Sequence, residues 1–134
     1  LAGDEAFVDE ARRVRKLFGG GMRQAGMIAA PGLLALENVE RLDDDHANAE
    51  RLAAGLDALE GVDAPAPDTN IVVAHTDDAG IPAADLVEAC KAAGVGCVEF
   101  DEHATRFTTH LDVDADDVDD AIDRIGDAVA ELSG

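Results

Sequence analysis

The chain has 134 residues, with 30 acidic against 10 basic side chains and a formal net charge of -20; most of such a surface repels a polyanion, which argues against general nucleic-acid binding and against anionic membranes. Hydrophobic residues reach 47% but aromatics only 3%, with no Trp or Tyr, so the core must be built from Leu, Val, Ile and Ala. The length suffices for one compact domain, or a smaller one with added helical segments.

Acids are spread through every segment rather than gathered in one tail, and apolar periodicity persists beside them. This pattern points to a halophilic, cytoplasmic protein that needs charge for solubility and whose self-repulsion is screened to within about 3 Å at 1 M salt. An ordinary acidic protein is the plainer alternative. No signal peptide and no apolar run long enough to cross a bilayer stands out. An initial Leu instead of Met points to a piece of a longer chain.

In chain order, "DEAFVDEARRVRKLF" at 4–18 spaces Phe7, Val8, Ala11, Val14, Leu17 and Phe18 as an amphipathic helix, with acids in its first turn and bases in its last. Gly19, Gly20 and Gly21 stop it. A second helical pattern runs from Met22 to about Leu59, with Leu36, Val39, Leu42, His46, Ala49, Leu52, Leu56 and Leu59 along one side. Pro31-Gly32 is expected to kink or split it, because proline removes a helical N–H and clashes with the preceding turn. The β-branched "NIVVAH" reads as a strand, followed by a helix at about 82–93 with Pro82 in its first turn and Gly94 as its stop. "VGCVEF" and "TRFTTHL" are two more strands joined by "DEHA", and a last helix at about 115–132 takes Asp114 as its N-cap. The second half is therefore β-α-β-β-α, a small and mainly antiparallel sheet with two helices on one face, preceded by long helices. That is an α+β arrangement.

Several residues invite a chemical reading. "DVDADDVDDAID" puts Asp112, Asp114 and Asp116 at calcium-loop positions, but Asp117 stands where the loop needs glycine, and Asp123 where it needs glutamate, so the helical stripe explains the segment better. His46, between Asp43 and Glu50, lacks a second histidine four residues away; His75, His103 and His110 form no recognisable motif. Cys90 and Cys97 read as small buried residues. No metal site is expected.

The cationic residues are more informative. Five of the ten basic side chains (Arg12, Arg13, Arg15, Lys16 and Arg23) surround Gly19–Gly21. The run is no Walker loop, yet a flexible backbone offering N–H groups between Lys16 and Arg23 suits a phosphate or carboxylate; a helix C-cap followed by a basic surface turn is the plain alternative. Arg106, in a predicted strand, suits a bidentate carboxylate, or else pairs with one of the many acids.

The blocks "RKLFGGGMRQAG", "DHANA", "DTN" and "THLDV" occur in the order found in low-specificity L-threonine aldolases, and the chain from Leu1 to about Ser133 resembles that family. Pro31 departs from the small residue usual at its position. The resemblance implies the carboxyl-terminal part of a β-eliminating lyase with the aspartate-aminotransferase type of fold and pyridoxal 5'-phosphate as cofactor. It implies residues 1–35 as the end of the large cofactor domain with a linking helix, and residues 36–134 as the small α+β domain. Lys16, Arg23, Gly20 and Gly21 would then lie close to the cofactor phosphate, across a subunit boundary of a homotetramer or dimer, and Arg106 would grip the amino-acid carboxylate. The expected reaction is retro-aldol cleavage of L-threonine or L-allo-threonine to glycine and acetaldehyde. The lysine that carries the cofactor matches neither Lys16 nor Lys91, so the missing N-terminal cofactor domain is an expected partner and the segment alone is expected to be inactive. Another β-eliminating amino-acid lyase, or a non-catalytic anion-binding or assembly module, are the competing readings.

Overall fold

In the computed structural model, which describes residues 1–134, the chain divides into two units, Leu1–Val39 and Glu40–Gly134. The first unit is helical. Helix α1, Glu5–Leu17, opens where the Asp4 carboxylate accepts the Phe7 N–H at 2.9 Å. It closes at Gly19, whose φ of 76° lets the Gly19 N–H reach the Lys16 carbonyl (3.2 Å) and the Gly20 N–H reach the Arg15 carbonyl (2.8 Å). This 6→1 and 5→2 pair is a Schellman cap, and it satisfies carbonyls that the helix end leaves without partners.

Helix α2, Gly26–Glu37, runs through Pro31 without a break. The expected split at Pro31-Gly32 is thus displaced: the helix ends at Asn38, and a 3-10 turn, Val39–Arg41, follows. Proline costs one intrahelical bond, to the carbonyl four residues earlier. That carbonyl belongs to Met27, which is exposed, so water can hydrate it. No residue of α1 or α2 is buried, although α2 reads GMIAAPGLLALE.

The second unit carries the core. Helix α3, Leu42–Asp57, buries Ala49, Leu52, Ala53 and Leu56. The stripe drawn from Leu36 through Leu42 does not continue into that core, since Leu36, Val39 and Leu42 are exposed. Strand β1, Ile71–His75, leads through helix α4, Ala83–Ala92, to β2, Val98–Asp101, and then directly to β3, Ala104–Thr108. Helix α5, Ala115–Ser133, ends the chain. Its N-cap is the expected Asp114, reinforced by a capping box in which Asp117 returns a bond to the Asp114 N–H.

The sheet order is β1-β3-β2, with both pairs antiparallel, so β1 and β2 are parallel and α4 crosses between them while β3 fills the gap. Val72 and Ala74 of β1 and Thr105 and Phe107 of β3 are buried on one side of the sheet. Three helices, where two were expected, cover this side: α3 lies against β1, α4 against β2 and β3, and α5 against α3 and α4. Leu52, Leu56, Val72, Leu86, Phe107, Val118, Ile125 and Val129 form the core, as the absence of Trp and Tyr requires. Each such side chain contributes about 2 kcal/mol relative to exposure.

Candidate functional site

The cation-rich loop is the C-terminal end of α1. Because the Gly19 and Gly20 N–H groups are used by the helix cap, the glycine run does not offer three free donors; unused N–H groups begin at Gly21. A β-carbon added at Gly21 would lie 3.3 Å from Lys16 Nζ, so the ammonium folds back over that glycine. At Gly20, an added β-carbon would meet Arg15 Cγ at 2.8 Å and the Arg15 carbonyl oxygen at 3.1 Å. Both glycines permit close approach of the chain to its own basic side chains. Arg23 and Gln24 lie in the turn before α2, and Gln24 has φ 54°, the only non-glycine residue in the left-handed region. That conformation costs about 1 kcal/mol for a residue with a β-carbon. The bland expectation, a C-cap followed by a basic exposed turn, describes the loop's backbone; its charge distribution adds a further fact. Arg12 pairs with Asp9 and Arg13 with Glu10, whereas neither Lys16 nor Arg23 makes an ion pair.

Arg106 occupies the middle of the central strand of the second unit. Its register partners are Val73 on β1 and Val98 on β2, and directly opposed residues project on the same side of a sheet. The neighbouring Thr105 and Phe107 point into the core, so Arg106 is exposed on the face that α3, α4 and α5 leave open. In a chain with 30 acids, this arginine has no carboxylate partner, which removes the dull account in which it merely pairs with a nearby Asp. Arg51 and Arg124 are neutralised instead, by Asp119 at 2.8 Å and by Asp120. The face around Arg106 mixes apolar and polar residues: Val73 and His75 lie on it from β1, and Val98 and Asp101 from β2. Ile71 and Val98 are each almost half exposed there, and a guanidinium among β-branched neighbours is less hydrated and more available to a planar anion than one in open water.

The remaining chemical candidates have structural roles or none. Asp114 Oδ1 accepts the Asp116 and Asp117 N–H groups, so the acidic segment begins a helix. His103 Nδ1 lies 2.9 Å from the Ile81 carbonyl, and His110 Nδ1 accepts the Asp112 N–H at 3.3 Å. His46 is half-buried on α3 and His75 lies on the open side of β1. No group of His, Cys, Asp and Glu is arranged to hold a metal. Cys90 is buried and Cys97, half-buried, packs against the same cluster. The Cys90 thiol holds the Cys97 sulfur below the usual thiol range, and the same neighbour, together with burial, pushes Cys90 up.

Residue patterns alone did not identify the polar links at the end of β3. Asn70 Nδ2 donates to the Thr109 carbonyl at 2.7 Å, and the Thr109 N–H donates back to the Asn70 carbonyl at 3.0 Å. The Thr109 hydroxyl donates to the Asp45 carbonyl at 2.7 Å, and Asn48 Nδ2 to the Val113 carbonyl at 3.0 Å. These residues come from the blocks "DHANA", "DTN" and "THLDV". Their only signal was the order of the blocks, because the contacts join positions 39 to 65 residues apart.

Comparison with known proteins converges on one group. A family model described as beta-eliminating lyase matches residues 1–79. Low-specificity L-threonine aldolase 1 of Arabidopsis thaliana is 33% identical over 122 residues, covering 88% of this chain and 34% of that protein. The low specificity L-threonine aldolase of Escherichia coli (strain K12) is 40% identical over 114 residues, covering 84% of this chain and 33% of that protein. The chain thus spans about a third of the length of the curated relatives it matches. A crystal structure from Exiguobacterium sp. 255-15, described as an aromatic amino acid beta-eliminating lyase/threonine aldolase, superposes with a TM-score of 0.70 at 23% identity, covering 95% of this chain and 39% of that one.

Proposed function

Since this chain belongs to the beta-eliminating lyase family, we propose that it is the carboxyl-terminal part of a pyridoxal-phosphate-dependent threonine aldolase that cleaves L-threonine and L-allo-threonine to glycine and acetaldehyde. The observation that carries this reading is Arg106, an arginine without a carboxylate partner on the open face of the central strand of a strongly acidic chain.

Arg106 binds the substrate carboxylate through paired N–H···O bonds and thereby fixes the orientation of the bonds at Cα. Such orientation is worth about 10²-fold in rate. Lys16 and Arg23 bind the cofactor phosphate; they are cations without ion-pair partners, and the unused Gly21 N–H is a further donor, so the residues present suit that group. Gly20 contributes by its lack of a side chain, since its N–H is already bonded to Arg15. Bound pyridoxal phosphate supplies the electron sink for cleavage of the Cα–Cβ bond. The lysine that carries the cofactor lies outside residues 1–134 in this reading, and the segment by itself is inactive.

The same reading assigns cover for the apolar surface of α2. Leu33, Leu34 and Leu36 are each more than 60% exposed, a surface suited to the remaining two-thirds of the enzyme and to further copies in a homo-oligomer. The acidic excess supports a cytoplasmic protein adapted to concentrated salt. No helix is long and apolar enough to cross a membrane.

The test uses the complete protein, loaded with pyridoxal phosphate and given L-threonine across a range of salt concentrations, with acetaldehyde measured by coupled reduction. Acetaldehyde release in step with glycine is expected. Its absence at every salt concentration would overturn the aldolase assignment.

A further inference from the structure

Thr109 lies three residues beyond Arg106 and has all of its polar atoms satisfied inside the chain. Its N–H donates to the Asn70 carbonyl (3.0 Å), its carbonyl accepts Asn70 Nδ2 (2.7 Å), and its hydroxyl donates to the Asp45 carbonyl (2.7 Å). Only 2% of the residue is exposed. Asn70 immediately precedes β1, and Asp45 lies in the first turn of α3, so one residue, through its backbone and its hydroxyl together, joins the ends of β1 and β3 to a helix of the covering layer.

The position of this junction matters for the arginine. Arg106 projects on the open face only in the register Val73↔Arg106↔Val98, and a slip of one residue would turn its side chain toward the core. On the β2 side the register is irregular, shifting between Glu99 and Asp101. The β1 side therefore has to hold it, and there the ladder ends at Ile71↔Thr108, next to the junction. At about 3.4 Å per residue, the junction stands roughly 10 Å along the strand from Arg106.

We propose that Thr109, with Asn70 and the Asp45 carbonyl, is a positioning device for Arg106: it sets the register and height of β3 so that the guanidinium meets the substrate carboxylate. The inference rests on the reading of Arg106 as the carboxylate-binding residue. Thr109 touches no substrate in this account and acts only through the strand.

The experiment compares variants of the complete, cofactor-loaded enzyme. Arg106→Lys is the reference and should raise KM for L-threonine while leaving the bound cofactor's absorbance unchanged. Thr109→Val, which keeps the shape but removes the hydroxyl, should raise KM about tenfold and lower kcat with it, since the guanidinium both binds the carboxylate and orients the bonds at Cα. Thr109→Ser should restore KM to within about twofold of the parent, and Asn70→Ala should move KM in the same direction as Thr109→Val, serving as the second variant should Thr109→Val fold poorly. Asp114→Ala, which removes a helix cap, controls for lost stability and should leave KM unchanged. Faster amide exchange across residues 104–108 in Thr109→Val than in Asp114→Ala would support the mechanism without any measurement of activity. An unchanged KM in both Thr109→Val and Asn70→Ala, beside a raised KM in Arg106→Lys, would overturn the positioning role alone. An unchanged KM in Arg106→Lys would overturn the role of the arginine itself and the inference with it.

Discussion

Gly55 lies in the interior of α3, where alanine is ordinarily favoured by about 1 kcal/mol. The structure opposes that gain. A β-carbon at Gly55 would lie 2.8 Å from Ile122 Cγ1 and 3.0 Å from Ile122 Cγ2 on α5, and would also meet its Cδ1. Rotation about the outer bond of isoleucine moves only Cδ1. The two γ-carbons are attached to Cβ, and a β-branched side chain within a helix has one strongly favoured χ1, so the helices must separate or the side chain must leave its rotamer. Overpacking of this kind costs about 1–3 kcal/mol. Against the propensity gain, Gly55→Ala should destabilise the protein by roughly 1 kcal/mol, lowering the urea midpoint by about 0.5 M if the slope is near 2 kcal/mol/M. In an Ile122→Ala background the obstruction is gone, and the same substitution should stabilise by about 1 kcal/mol, a coupling near 2 kcal/mol measured as a double-mutant cycle. Equilibrium unfolding at constant salt, followed by far-ultraviolet circular dichroism, is the assay. A parent protein made more stable by Gly55→Ala would refute the close approach of α3 and α5.

Two further outcomes follow from local chemistry. Asp114→Ala removes the side-chain acceptor of two N–H bonds while leaving the backbone N–H that donates to Asp117, and should cost about 1–2 kcal/mol in urea unfolding; a change under a few tenths would mean that the cap is not formed. Cys97, held below the usual thiol range by the Cys90 thiol, should reach half its maximal alkylation rate at a lower pH in the native protein than in the unfolded chain, where the thiol is unperturbed. Buried Cys90 should remain unlabelled, and Cys90→Ala should move the Cys97 midpoint upward, since the donor that favours its thiolate is gone. Peptide mapping after alkylation over a pH series measures both, and an upward or unchanged Cys97 midpoint in the native protein would contradict the pairing.

Much of the first unit's local geometry is legible residue by residue. The apolar period of residues 4–18 predicts α1 and Gly19 predicts its end, because the stop depends on a few consecutive residues and on the φ that glycine alone adopts freely, whereas the Asp4 cap emerges only in the structure. Asp114 and the stripe through Val118, Ile125 and Val129 predict α5 in the same way. Pro31 misleads because its penalty is local and bearable at an exposed position, while the true helix end at Asn38 carries no equally strong signal. Lys16 and Arg23 attract notice in the sequence because positive charge is scarce, but the N–H groups of Gly19 and Gly20 are withdrawn by the helix cap, the plainer of the two readings that the glycine run allows.

Composition and residues within one turn of each other suffice for the excess of acid, the order β-α-β-β-α, the glycine stop of α1, the Asp114 cap of α5, and a core without Trp or Tyr. Tertiary structure decided that β3 lies between β1 and β2, that Arg106 stands without an acidic partner on the face that α3, α4 and α5 leave open, that Gly55 adjoins Ile122, and that Thr109 joins Asn70 to Asp45. These depend on strand register and on contacts between distant segments, and a pattern read along one dimension carries no measure of which distant residues meet.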